Sequence, residues 1–183
     1  MSLGSIFSIG VLARQRRKTH YQIRIGGEAD VHALVAPGGL AHKFWDESDY
    51  KLFTGFDPER FRDTTLASLG PEGHNIFLVG FGPDRRLVGF ALVSVLRWFT
   101  TDPIASTYLL YVEPEHRKSI LGRMLVAAAC EIAKGEGAAA IMVGSMAGVT
   151  GVQATLMNML RRLGFAPLGG FARRVLNEHL RGR

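Results

Sequence analysis

"YVEPEHRKSILGRML", residues 111–125, carries an apolar run into a helical pattern by way of a proline and a basic turn. Ahead of it, "STYLLYV" (106–112) has the composition of a buried strand. Behind it, "ILGRMLVAAACEIAKGEG" (120–137) spaces its apolar residues as a helix does and stops at Gly135 and Gly137. Arg117, Lys118 and Arg123 bracket the start of that helix, and Gly122 leaves its backbone open to close approach. A helix N-terminus carries unpaired N–H groups and partial positive charge, so the stretch predicts an anion cradle at a strand-to-helix junction. The Gly-x-x-x-x-Gly-Lys-Ser/Thr phosphate loop and the Gly-x-Gly-x-x-Gly dinucleotide fingerprint are both missing. On these residues alone, a solvated basic turn fits as well as a cradle.

The flanking sequence supplies an order of elements. "YQIRIG" (21–26) alternates as a strand, and "EADVHALVAP" (28–37) is a helix that stops near Pro37. "DPERFRDTTLASLG" (57–70) has Asp57 as cap, Pro58 at the first helical position and Gly70 as stop. The stretch between these helices, "APGGLAHKFWDESDYKLFTGF" (36–56), reads as a loop. Two runs rich in Phe, Val and Leu flank "GPDRR", which predicts antiparallel strands at 75–81 and 86–99. After the central helix, "AAAIMVG" (138–144) is a short strand, "VQATLMNMLRRLGF" (152–165) a helix ending at Gly164, and "FARRVL" (171–176) a last strand.

At 183 residues the chain holds one substantial core and is short for two domains, and its 47% hydrophobic and 21% charged residues are ordinary for a globular protein. One domain is expected over 19–183, preceded by a tail at 1–18. In that tail Leu3, Ile6, Phe7 and Val11 make an apolar helical stripe ahead of a basic cluster. Such a segment suits a membrane surface or a protein partner, and a frayed terminus is the plainer reading. The charge of +6 brings acidic ligands and nucleic acid into consideration, yet the basic residues are scattered and form no nucleic-acid-binding signature. Cys130 is the one cysteine, so no disulfide forms within the chain and a reducing, cytoplasmic setting is expected. The histidines show no ligand spacing and no metal is expected.

With this order of elements, residues 20–176 resemble the GNAT superfamily of N-acetyltransferases. Val112, Pro114, Arg117 and Gly122 match the family's Val-x-Pro … Arg/Gln-x-x-Gly-x-Gly/Ala motif, with Ile120 at the usual middle glycine. The later "LRRLGF" resembles the second signature through Gly164 and Phe165, with Leu160 where a proton-donating tyrosine is usual. The resemblance implies an α/β fold in which a mixed, mainly antiparallel sheet is flanked by helices and a parallel pair of strands splays apart at the cofactor site. It implies acetyl-coenzyme A as cofactor, its pantetheine arm along Leu110, Tyr111 and Val112 and its pyrophosphate on Arg117, Lys118, Ser119, Ile120, Leu121, Gly122 and Arg123. A small-molecule or peptide amine is then the acceptor, chosen by the 36–56 stretch and the hairpin, and a homodimer through 171–176 is allowed.

For the chemistry, Glu113 follows the central strand directly and is the first candidate base, with His116 and Asp102 behind it. Tyr108 and Ser145 are hydroxyls that stand in for the absent tyrosine; Tyr108 is expected on the strand face of Leu110 and Val112. The alternative reading is a GNAT-like module without catalysis, docking a membrane or protein partner.

Overall fold

The structure, a computed structural model, describes residues 20–52, 54–69, 75–97, 100–144 and 152–167. The tail at 1–18, Ser145 and the expected strand at 171–176 lie outside the described residues. Five strands form one sheet in the order β1 (Gln22–Ile25), β2 (Asn75–Phe81), β3 (Leu87–Leu96), β4 (Ile104–Val112) and β5 (Ala140–Val143). Every neighbouring pair is antiparallel except β4 with β5, which run parallel.

Both faces of the sheet are covered, which is why β2 and β3 read as near-continuous apolar runs. On one face Phe77, Val79, Phe90, Leu92 and Tyr111 pack beneath α1 (Glu28–Val35) and α2 (Leu40–Glu47), which supply Val31, Leu34, Leu40 and Phe44. Helix α3 (Pro58–Ser68) closes this side through Phe61 and Leu66. The residues between, Leu78, Val88, Ala91 and Val93, face Leu121, Leu125, Ala129 and Ala133 of α4 (Leu121–Gly135) on the other side. A fifth helix, α5 (Gln153–Arg162), comes after β5.

Local signals explain the element ends. The Asp57 carboxylate accepts the Arg60 amide at the start of α3 (2.9 Å). Asp30 accepts the Gly27 amide (2.8 Å) at the start of α1 and both arms of Arg24 (2.6 and 2.8 Å), so the helix is tied to β1. In the β2–β3 hairpin Gly82 N donates to Arg86 O (2.9 Å), and Arg85 takes a left-handed φ of 62°.

Two expectations are corrected. The stretch 36–56 is not a plain loop: it contains α2 and a 3-10 turn at Asp49–Leu52. Its glycines and proline conceal an eight-residue helix whose Leu40, Ala41 and Phe44 are buried. Gly39 is needed at its start, because a Cβ there would stand 2.3 Å from the Leu34 carbonyl oxygen. Nor does Tyr108 share a face with Leu110 and Val112. The β3–β4 register runs Leu92 to Leu109 and then Val93 to Thr107, so Tyr108 is a bulge. The extra residue turns Tyr108 to the α1–α2 side, with Leu109 and Tyr111, while Leu110 and Val112 face α4.

Candidate active site

The bulge marks where the parallel strands part. Strand β5 pairs with β4 only from Ile104 to Thr107, and the rest of β4 runs on beyond it. Glu113 N donates to Val88 O (2.9 Å), so by the alternation of an antiparallel ladder Tyr111 and Leu109 also direct their backbone groups to β3. Leu110 and Val112 therefore turn their N–H and C=O groups outward, to the side β5 has left. Among the described residues no strand pairs with this part of the β4 edge, and apart from the Val112 carbonyl, which accepts Arg117 Nε, its outward groups are able to pair with an extended ligand.

That edge ends at the start of α4. The first intrahelical bond runs from Met124 N to Ile120 O, so the amides of Leu121, Gly122 and Arg123 precede the ladder. Ser119 Oγ accepts the Leu121 amide (3.1 Å) and donates to His116 O (2.6 Å), fixing the turn. Gly122 and Arg123 keep amides with no intrahelical acceptor. A Cβ on Gly122 would meet Met159 Sδ at 3.7 Å and Val112 Cγ2 at 4.0 Å, ordinary contact distances that place the glycine between β4 and α5. Lys118, Ile120 and Arg123 are exposed around it.

Arg117 does more than lend charge. Its Nε donates to Val112 O (2.9 Å), its guanidinium pairs with Glu47, and it lies 5.5 Å from the centre of the Tyr111 ring. The Tyr111 hydroxyl donates to the other Glu47 oxygen (2.6 Å). Burial, and then this hydrogen bond and the Glu47 charge, push the Tyr111 phenol far up from its ordinary range, so it stays a proton donor. Glu47 thus ties α2 to the cradle. The sequence contained Glu47 within an acidic cluster, but nothing in the spacing pairs residues 70 positions apart.

Glu113 is buried rather than turned to solvent, 1% exposed. Lys43 of α2 pairs with its Oε1, and Arg86 of the hairpin stands 3.3 Å from its Oε2 without completing a hydrogen bond. His116 is hydrogen-bonded through Nδ1 to the Tyr21 hydroxyl (3.0 Å), which holds the turn to the start of β1. Asp102 lies at the opposite end of β4, exposed, with Thr100 Oγ1 donating to its carbonyl (2.7 Å). The Tyr108 phenol is also raised, by burial first, against hydrogen bonds with Ser94 and Asn75 that lower it. Leu160 is buried, and its carbonyl accepts the Phe165 amide (3.0 Å). Sequence reasoning missed Thr107: at the last β4–β5 pair, its buried hydroxyl has no hydrogen-bond partner among the described residues.

Beside the bulge, on the α1–α2 side, a cavity of about 350 Å³ is lined by Trp45, Phe56, Phe61 and Arg60 above Tyr108 and Leu109. Phe44, by contrast, is core. Among the described residues no group of three His, Cys, Asp or Glu side chains is set to hold a metal ion, and no helix is long and apolar enough to cross a membrane.

A mixed sheet whose one parallel pair opens beside a helix N-terminus defines the acyltransferase class of α/β fold that the sequence motif implied. The model of the acetyltransferase (GNAT) family matches residues 41–165, well over half of the chain, and the protein belongs to that family. No curated protein matches it in sequence. Among solved structures, an acetyltransferase of Trypanosoma brucei is 18% identical with a TM-score of 0.62, over 86% of this chain and 100% of that one. An aminoglycoside N-acetyltransferase in complex with CoA is 16% identical with a TM-score of 0.65, over 88% and 99%. Glucosamine-6-phosphate N-acetyltransferase from Arabidopsis thaliana is 12% identical with a TM-score of 0.61, over 86% and 99%. These are likenesses of fold.

Proposed function

We propose that the protein transfers an acetyl group from acetyl-CoA to a primary amine. The observation that carries this is the outward edge of β4 at Leu110 and Val112 running straight into the open amides of Gly122 and Arg123. Acetyl-CoA, when bound, supplies a thioester for attack by the amine. The backbone groups of Leu110 and the Val112 N–H would hold its pantetheine arm by pairing, the Val112 carbonyl being taken by Arg117, with Tyr111 beneath them fixing the strand through Glu47. Lys118, Ser119, Ile120, Leu121, Gly122 and Arg123 form the pyrophosphate turn: Lys118 and Arg123 supply charge, Ser119 shapes the backbone by accepting the Leu121 amide, and the amides of Ile120, Gly122 and Arg123 supply donors. Arg117 braces the turn from the α2 side.

Much of the catalysis then comes from holding two reactants together, worth roughly 7–11 kcal/mol at best. Tyr108 and Ser145, the latter outside the described residues, are the hydroxyls proposed for the departing sulfur. Glu113 acts as base only through a water, because its carboxylate is buried, with Oε1 bonded to Lys43 and Oε2 beside Arg86. A coenzyme A-binding module without turnover is the second reading, favoured by the buried Leu160 at the tyrosine position.

Calorimetric titration with acetyl-CoA and desulfo-CoA, alongside a thiol-release assay with a panel of amines, tests both. Micromolar binding that Arg117→Glu and Gly122→Val abolish, with thiol release, supports the enzyme. Binding without thiol release from any amine leaves the module, and no binding at millimolar ligand removes both.

A further inference from the structure

The cavity beside the β4 bulge has a chemistry of its own, and its role as an acceptor site rests on the acetyltransferase reading. Its volume of about 350 Å³ falls at the small end of ligand pockets, enough for a compact molecule. One wall is aromatic: Trp45 stacks on Phe56 at 5.3 Å and 28°, and Phe61 meets Phe56 edge-on at 5.9 Å. Its floor is Tyr108 and Leu109, the residues at which β4 leaves β5. A nucleophile resting on that floor is therefore next to the open strand edge.

The cavity lining has no surplus of acidic groups of the kind a polycation needs: its charged residues are one carboxylate and one guanidinium. Among the described residues Asp57 is the sole carboxylate lining it, and one of its oxygens, Oδ1, accepts the Arg60 amide at the cap of α3. Glu47, an acidic residue close in sequence to the aromatic wall, is turned to Arg117 and Tyr111. Arg60 lies at the rim, exposed, with no ion pair among the described residues. An aromatic slot with a cation at its mouth and a single carboxylate, one oxygen of which caps α3, favours an apolar body bearing one anionic group over a polycation.

We infer that the acceptor is a monoamine with an aromatic or large apolar body and a carboxylate, an apolar amino acid in chemical class, seated between Trp45, Phe56 and Tyr108 with its carboxylate on Arg60. Its amine nitrogen forms the bond to the acyl carbon as the C–S bond breaks; the sulfur leaves with the electron pair and takes up a proton, and the nitrogen gives one up to solvent. Polycationic aminosugars, the substrate class named for one of the similar folds, are disfavoured by the same charge pattern.

Fluorescence of Trp45 reads the site directly, in a Trp98→Phe background that leaves it the sole tryptophan. The probes are phenylalanine, leucine, methionine, phenethylamine and kanamycin, with and without desulfo-CoA. Phenylalanine is expected to bind at least tenfold tighter than phenethylamine, and kanamycin not at all. Arg60→Gln should erase the tenfold advantage while leaving phenethylamine unchanged, and Arg60→Lys should restore part of it. Equal binding of phenylalanine and phenethylamine, preference for kanamycin, or no binding of any amino acid in either condition overturns the inference. Because this readout needs no turnover, its failure is separate from a failure of acetyl-CoA to bind.

Discussion

Tyr111 shows how one side chain serves packing and site together: its ring is core beneath α2, and its hydroxyl holds Glu47 in place for Arg117. Its raised pKa means that the folded state retains a proton the unfolded chain releases near pH 10. That stability is complete below about pH 10 and declines as pH climbs above it. Urea denaturation between pH 9 and 11 should show this decline, and Tyr111→Phe should flatten it. Asp30 has the opposite sign. Burial would raise its pKa, but the hydrogen bonds from Arg24 and the Gly27 amide outweigh burial and lower it. Its contribution is present above about pH 4 and disappears as pH falls through the lower folded value. Asp30→Asn should lose about 1 kcal/mol at pH 7, the worth of a hydrogen-bonded cap with a largely exposed arginine partner, and less at pH 3. Arg117 and Gly122 were legible as residues of the strand-to-helix turn. The Glu47 and Lys43 partners were not, since they are set by how α2 lies on the sheet.

Strands and helices meet in this molecule through glycines whose role is packing. Gly80 and Gly89 face each other across β2 and β3. A Cβ on Gly80 would stand 2.7 Å from Leu121 Cδ1, and one on Gly89 would stand 3.2 Å from Leu121 Cδ2. The pair forms a hollow that seats the first turn of α4, and so sets the height of the cradle above the sheet. Gly89→Val should cost about 1–3 kcal/mol by overpacking and weaken CoA binding beyond that loss, measured by denaturation and calorimetry on the same sample. Gly122→Ala should leave stability nearly unchanged, because its neighbours are at ordinary contact distance. In the hairpin, Arg85→Gly should gain about 1 kcal/mol by relieving a left-handed backbone, seen as a higher denaturation midpoint. The strands, α1, α3, α4 and α5 were readable from period and caps. Helix α2 and the bulge were not: α2 follows Pro37, Gly38 and Gly39 with no capping side chain, so its start has the composition of a loop, and a bulge exists only relative to its partner strand.

At the scale of the whole chain, a ligand that binds only the folded state raises its stability by mass action, about 2.7 kcal/mol at a hundredfold excess over Kd. For a chain of this size that is a rise in Tm of about 5–11 °C with acetyl-CoA, absent in Arg117→Glu, and a scan with and without ligand checks it. The sequence by itself determined the α/β order, the strand-to-helix turn at 111–125 and the departures at Ile120 and Leu160, because period, caps and motif spacing are local. Only the tertiary structure decided which face Tyr108 takes, where β5 leaves β4, that Glu113 is buried between two cations, and which aromatic residues face a cavity. Each of those depends on strand register and on the seating of α2, contacts between residues far apart in the chain that no local pattern encodes.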